Sequence, residues 1–310
     1  MHRSIVLLVF AVVALTITES RTWAKTLQEV AAGADLQKMV KIYKGGKPNA
    51  KGEGPIPNLA KLDAPPARVA LISFYVADVG KSKGTYYASV RTFNWLTQDG
   101  ASHFATAYHE QGIQALKETF RKHGVEILTP DQFLDSDAKR TAFVEYKLQL
   151  SVVAKIALGF MGGLTKAAAS GLDLTQSAVA PGYRLLASHV VATDPKSGVS
   201  LEGLRQSLDV DALLIVKNGT RSDAKNVSLT DVHVMLYGPN PVPRVEGKKY
   251  IQYKVGQLYV SAQLTLKKPA AVASFKKKKI SDENYDGYEL FLAATAERAM
   301  GYLLEKINKE

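Results

Sequence analysis

Residues 68–80 (RVALISFYVADVG) and residues 209–220 (DVDALLIVKNGT) decide the fold class of this chain. Each is an apolar run of strand length bounded by polar or small residues, which is typical of a buried β-strand. The second run follows residues 200–208 (SLEGLRQSL), which have the character of a short helix. A helix that leads into a buried strand is the unit of α/β proteins, so these stretches predict that class.

Further elements extend the pattern on both sides of these two strands. Residues 106–123 place His109, Ile113, Leu116 and Phe120 on one face, as an amphipathic helix does. Two more apolar stretches have strand character, and the chain closes with a helix at residues 286–306. We therefore expect an α/β (α+β) domain over residues 68–310, with a mixed β-sheet of about five strands flanked by helices. The strand-like stretches are residues 227–238 and 254–266.

The region before this domain has a different composition. Residues 26–43 have the apolar spacing of one helix, and residues 44–67 are rich in Gly, Pro and Lys, as linkers and surface loops are. The sequence thus predicts an N-terminal helix and linker at residues 25–67 that lie outside the sheet domain.

The first 24 residues predict export. A short basic start that includes Arg3 precedes an uncharged apolar run, and Thr22-Trp23-Ala24 gives small residues at the positions required for cleavage before Lys25. The run is shorter than the ~20 residues of a bilayer span, although an uncleaved anchor is the alternative. We expect a signal peptide at residues 1–24 and a mature protein in the periplasm or at the outer-membrane periphery.

Composition narrows the chemistry and the partners. The chain has no cysteine, which excludes disulfides, thiolate nucleophiles, cysteine metal sites and attachment of a lipid to a lipobox cysteine. The predicted signal carries Arg3 and Arg21 against Glu19, so the formal charge of +11 falls by one to +10 in the mature part. Outside the cytoplasm such a charge favours anionic envelope polymers or lipid headgroups as neighbours, and no nucleic acid is expected.

Two segments are candidate contact surfaces. Residues 81–103 are predicted to be a hairpin or long loop, and within them residues 81–95 mix aromatic and basic side chains that suit partner recognition. Residues 151–180 form an apolar insertion rich in Gly and Ala, predicted either to contact a membrane surface or another copy of the chain, or to be a helix packed on the sheet. The candidate partner-contact residues are Tyr86, Tyr87, Arg91, Phe93 and Trp95, and the candidate membrane or oligomer contacts are Ile156, Leu158, Phe160 and Met161.

No residue pattern predicts a reaction. The histidines lack the spacing of a metal site, and His109 and His233 are interpreted as satisfied, half-buried side chains. Ser136-Asp-Ala-Lys139 has the form of a serine-enzyme motif, but the Ser-x-Asn that would accompany it is missing. We therefore predict no catalytic residue, no metal and no cofactor.

The order of elements resembles a family of envelope proteins. RVALISF, VEILTPDQF and SLEGLRQSLDVDALLIVKNGT are similar to segments of the curli-secretion channel family, the outer-membrane activators of penicillin-binding proteins and the TolB amino-terminal domain. The resemblance covers residues 68–306 and departs from the family in its missing lipobox cysteine and in the apolar insertion. It implies a single non-catalytic α/β domain that binds a protein partner or oligomerises.

The expected function follows from export and from this resemblance. We expect an exported bacterial envelope protein that binds an envelope protein or forms a homo-oligomer in envelope assembly. The alternative is an exported enzyme or binding protein that acts on an anionic cell-wall polymer or a small ligand.

Overall fold

A computed structural model gives the fold. It describes residues 25–43, 59–78, 81–83, 91–93, 96–147, 176–185, 195–223, 225–241, 256–276 and 279–308. These residues form seven α-helices, one 3-10 helix and ten strands, eight of which build one mixed sheet. The predicted mixed α/β class is confirmed, whereas the predicted number of about five strands is too small.

The elements are numbered in chain order. The helices are α1 (Leu27–Ala32), α2 (Leu36–Met39), α3 (Gln98–Arg121), α4 (Pro130–Phe133), α5 (Asp137–Glu145), α6 (Pro195–Leu208) and α7 (Tyr288–Ile307), with a 3-10 helix at Leu59–Lys61. The strands are β1 (Val40–Ile42), β2 (Arg68–Asp78), β3 (Lys81–Lys83), β4 (Arg91–Phe93), β5 (Glu126–Leu128), β6 (Gln176–Val179), β7 (Ala212–Ser222), β8 (Asn226–Pro239), β9 (Gly256–Lys276) and β10 (Lys279–Ser281).

The two apolar runs that predicted the fold class are neighbouring strands inside the sheet. The strand order is β1-β9-β8-β7-β2-β5, with β6 beside β2 and β10 beside β9. Strand β2 runs parallel to β5 and β7, while β7, β8, β9 and β1 are successively antiparallel. A parallel pair requires a crossover connection, which explains why helices separate β2 from β5 and β7.

Helices cover both faces of the sheet, and each face has its own core. Side chains alternate along β7, so that Leu214 and Val216 join the core under α3 and α7, while Leu213 and Ile215 join the core under α4, α5 and α6. We call these the α3/α7 face and the α6 face. Burial on both sides explains why β2 and β7 are continuous apolar runs.

Close packing joins α3 to α7. The predicted helix at residues 106–123 is confirmed within α3, which begins earlier because Thr97 caps its first turn by accepting from the Gly100 N–H. At Gly112 an added Cβ would lie 2.5 Å from Tyr288 Cε1 and 2.8 Å from Leu292 Cδ2. The absence of a side chain at Gly112 therefore allows the ring of Tyr288 to pack against α3.

The prediction that the N-terminal region lies outside the sheet domain is wrong. Leu27 is fully buried in the α3/α7 core, and β1 pairs with β9 through Val40, Lys41 and Ile42. The single helix predicted at residues 26–43 is instead two short helices and a strand. A strand of three residues is too short to show a period of two, so its sequence pattern could not separate it from a helix.

A hairpin or long loop is predicted for residues 81–103. The hairpin is confirmed for residues 81–83 and 91–93, whereas residues 98–103 belong to α3. Strands β3 and β4 pair antiparallel, with Lys81 opposite Phe93 and Lys83 opposite Arg91. Residues 84–90, which include Tyr86 and Tyr87, lie outside the described residues.

Candidate functional site

A row of polar side chains crosses the α6 face of the sheet. Tyr75 on β2 lies opposite Lys217 on β7, Lys217 lies opposite His233 on β8, and His233 lies opposite Gln263 on β9. Lys41 on β1 lies opposite Gln263 and completes the row. Residues directly opposite each other in neighbouring strands project to the same face and are in contact distance. We call these five residues the polar row.

The polar row marks a change along the α6 face. In the preceding rows Leu213, Ile215 and Met235 are fully buried in the core with the leucines of α6. Towards β1 the face meets solvent, since Lys41 and Thr265 are exposed and Tyr43 is 55% exposed. The same face therefore combines a helix-covered apolar half with a polar half that is open at the β1 end.

Asp231 on β8 contacts the side chains of two residues of the polar row, Gln263 and Lys217. Gln263 Nε2 donates to Asp231 Oδ1 at 3.1 Å, and Thr230 Oγ1 donates to Asp231 Oδ2 at 2.9 Å. Lys217 Nζ lies 3.8 Å from Oδ1, too long for a hydrogen bond but close enough for an ion pair. Because these side chains of Lys217 and Asp231 are only 22% and 12% exposed, water screens their attraction less than that of a surface pair.

Gly219 makes room for this carboxylate. It lies opposite Asp231, and an added Cβ would stand 1.9 Å from Asp231 Oδ2. Any larger residue would thus displace the Asp231 side chain and, with it, the contacts to Gln263 and Lys217. The glycine in the middle of a strand has a positional reason, the close approach of a charged group.

His233 is bound within the row. Its Nε2 and Ser261 Oγ are 2.6 Å apart, both residues are buried, and the exposed ring of Tyr43 lies 6.0 Å from the imidazole. A serine beside a histidine is the arrangement of a nucleophile and its base. Asp231 lies on the same face two residues before His233, and its carboxylate is engaged by Gln263 and Thr230. The geometry therefore favours a satisfied histidine over a catalytic base, as predicted for His233.

His109 is likewise held by a neighbour, as predicted. Its Nε2 lies 2.8 Å from the Tyr183 hydroxyl, and its ring meets Phe74 edge-on with centroids 5.2 Å apart. Burial lowers the pKa of His109, with smaller opposing effects from Glu110 and Asp131. The neutral imidazole is therefore the form that the folded protein favours.

This lowered pKa predicts acid sensitivity. Since the folded protein favours neutral His109, its contribution to stability is complete above the unfolded-state pKa of about 6.5 and is lost as the pH falls towards the lower folded-state value. Thermal unfolding between pH 8 and pH 5 should show a smaller fall in Tm for His109→Gln than for the unchanged protein. An equal fall in the two proteins would contradict the role of His109.

The serine-enzyme motif at Ser136 has a structural explanation. Ser136 is the N-cap of α5, and its Oγ accepts from the Lys139 N–H at 3.3 Å. Lys139 Nζ donates to Asp135 Oδ2 at 3.1 Å and so points to a carboxylate, away from a role as base. A serine three residues before a helical lysine is what capping alone would place there.

A concavity of about 560 Å³ lies beside the edge strand β5. Its lining mixes Lys117 and Arg121 with Glu118 and Glu126. Lys117 Nζ already donates to Gln132 Oε1 at 2.9 Å. Because its lining charges are mixed and Lys117 is already engaged, this open depression is a weaker candidate for a binding site than the polar row.

The predicted contact residues fall mostly outside the described ranges. This holds for Tyr86, Tyr87, Trp95, Ile156, Leu158, Phe160, Met161 and the cleavage residue Ala24. For Arg91 and Phe93 the structure gives the backbone of β4 but not the side chains. Lys25 is exposed, and its carbonyl accepts from the Ala271 N–H at 3.1 Å, which ties the expected start of the mature chain to β9.

Comparisons of this chain with protein-family models, curated proteins and solved structures find no match. Among the described helices, none is long and apolar enough to cross a membrane. Within the same residues, no group of three or more His, Asp or Glu side chains could hold a metal ion. The polar row is therefore the site on which a function can be argued.

Proposed function

We propose that this chain is an exported bacterial envelope protein that binds a partner in envelope assembly without catalysing a reaction. Its place would be the periplasm or the periphery of the outer membrane. The observation that carries the binding role is the polar row, because the preceding rows of the α6 face pack under helices whereas this row stays open at the β1 end. The strands at that end are antiparallel, and an antiparallel sheet can leave one face to solvent, so the binding role rests on the polar and charged side chains gathered there and not on exposure itself.

The contacts within the row support binding over catalysis. Asp231 is held by Gln263, Thr230 and Lys217, and His233 is held by Ser261. A binding surface gains from such preorganised side chains, because little freedom is lost when the partner arrives. A general base, in contrast, has to reach the proton that it removes, and His233 is only 7% exposed.

The family resemblance and the charge of the chain favour different classes of partner. The resemblance to envelope-assembly proteins implies a protein partner or a second copy of this chain. The formal charge of +11 and the lysines of the row favour an anionic envelope polymer. Either partner is consistent with an exported binding protein.

Cell fractionation tests the export part of the proposal. The full-length chain, expressed with a C-terminal tag, should give a mature protein that begins at Lys25, found outside the cytoplasm and released from membranes by alkaline carbonate. Ala24→Pro should block processing because it removes the small residue required just before the cut. Intact mass spectrometry measures both products. An unprocessed chain of 310 residues that stays in carbonate-washed membranes would contradict a cleaved signal.

A further inference from the structure

We propose that the partner bound by the polar row is an anionic glycan, a polymer whose sugars carry carboxylate, sulfate or phosphate groups. This inference rests on the proposed binding role and names the chemical class of the partner. Three observations lead to it: the distribution of charge along the row, the exposed ring of Tyr43 beside the row and the partly used amide of Gln263.

Charge comes first. Lys41 is exposed at the open end of the row, whereas Lys217, three strand spacings or about 14 Å away, is paired with Asp231. An anionic partner therefore meets the ammonium group of Lys41 as its main cation, while Lys217 offsets the charge of Asp231. Asp231 is already engaged by Gln263, Thr230 and Lys217, and therefore repels an incoming anion less than a free carboxylate would. The predicted mature charge of +10 attracts a polyanion from a distance.

Tyr43 adds the feature that separates sugars from other anions. The residue is 55% exposed, follows β1 directly, and is fixed there because its N–H donates to the Ser261 carbonyl at 2.8 Å. An aromatic face offers a flat, electron-rich surface to the C–H groups on one face of a pyranose ring. With Lys41 two residues earlier, the site presents a stacking platform beside a cation.

The amide of Gln263 supplies directional hydrogen bonds. An amide has two N–H donors and one acceptor oxygen, and the contact with Asp231 uses one donor. The remaining donor and acceptor match a sugar hydroxyl, which can both accept and donate. Thr265, exposed on the same strand and the same face, extends this polar surface beyond the row.

Binding of defined polymers to the purified mature protein tests the inference. Oligogalacturonate should bind, a neutral dextran of the same length should not, and poly-L-glutamate should bind more weakly because it lacks a sugar ring to stack. Lys41→Gln and Tyr43→Ala should each weaken oligogalacturonate binding by about fivefold or more. Lys122→Gln, which removes an exposed positive charge at the end of α3, should leave it unchanged.

The possible results distinguish a failure of the glycan inference from a failure of the binding role. Equal binding of poly-L-glutamate and oligogalacturonate, with no effect of Tyr43→Ala, would reduce the site to general attraction of anions and overturn the glycan. Equal binding of dextran would overturn the need for an anionic sugar. If none of the glycans binds but a photoreactive group at position 43 captures a protein in cells, the glycan is wrong and the binding role stands; failure of both would remove the row as a binding surface.

Discussion

Tyr288→Ala should lower the free energy of unfolding by about 3–5 kcal/mol, as replacements of large buried aromatic residues do. Tyr288 is fully buried between α3 and the sheet, and its ring centroid lies 4.6 Å from that of Tyr108. Its hydroxyl donates to Asn218 Oδ1 at 2.6 Å. The alanine would leave a cavity beside Gly112, which has no side chain to fill it.

A matched variant separates the ring from the hydroxyl. Burial raises the pKa of Tyr288 well above its usual value, so the hydroxyl remains a donor at any pH at which the protein folds. Tyr288→Phe keeps the ring but leaves buried Asn218 Oδ1 without this donor, at a cost of about 1–3 kcal/mol. Urea unfolding followed by circular dichroism measures both changes. A loss below 1 kcal/mol for the alanine variant would contradict the packing of α7 on α3.

The central elements of the fold could be predicted from the sequence because each shows its own period. The apolar stretches within strands β2 and β7 are buried on both faces of the sheet. Helices α3 and α7 repeat their apolar residues over 24 and 20 residues, long enough for a helical period to be clear. The short strand predicted at residues 125–128 is confirmed as β5, whereas β1 and β6, with three and four residues, depend on tertiary hydrogen bonds that no local pattern contains.

The candidate site was missed for a related reason. The polar row joins residues from position 41 to position 263, which meet because of strand register, and register is not visible in any single segment. A weaker signal was present, since Lys217 ends an apolar run and Asp231 and His233 interrupt the apolar alternation of β8. The prediction that His233 is a satisfied side chain agrees with its contact to Ser261, although the residue is more fully buried than predicted.

The wrong prediction for residues 25–67 is a second reason why the sequence does not reveal the site. Because residues 25–67 were expected outside the domain, Lys41 and Tyr43 were not considered as neighbours of β9. The pairing of Lys41 with Gln263 and the hydrogen bond from Tyr43 to Ser261 place both residues at the open end of the row. A segment that completes a sheet can thus supply the accessible part of a binding surface.

Site-specific photo-crosslinking in living cells that express the full-length chain is the most direct test of the polar row as the partner-binding surface. A benzophenone amino acid would replace Tyr43, which is 55% exposed, and in a control protein Leu290, which is 47% exposed on α7. After irradiation, position 43 should give a heavier covalent adduct of the protein, and position 290 should give none. Equal yields from the two positions, or an adduct from position 290 alone, would contradict the account.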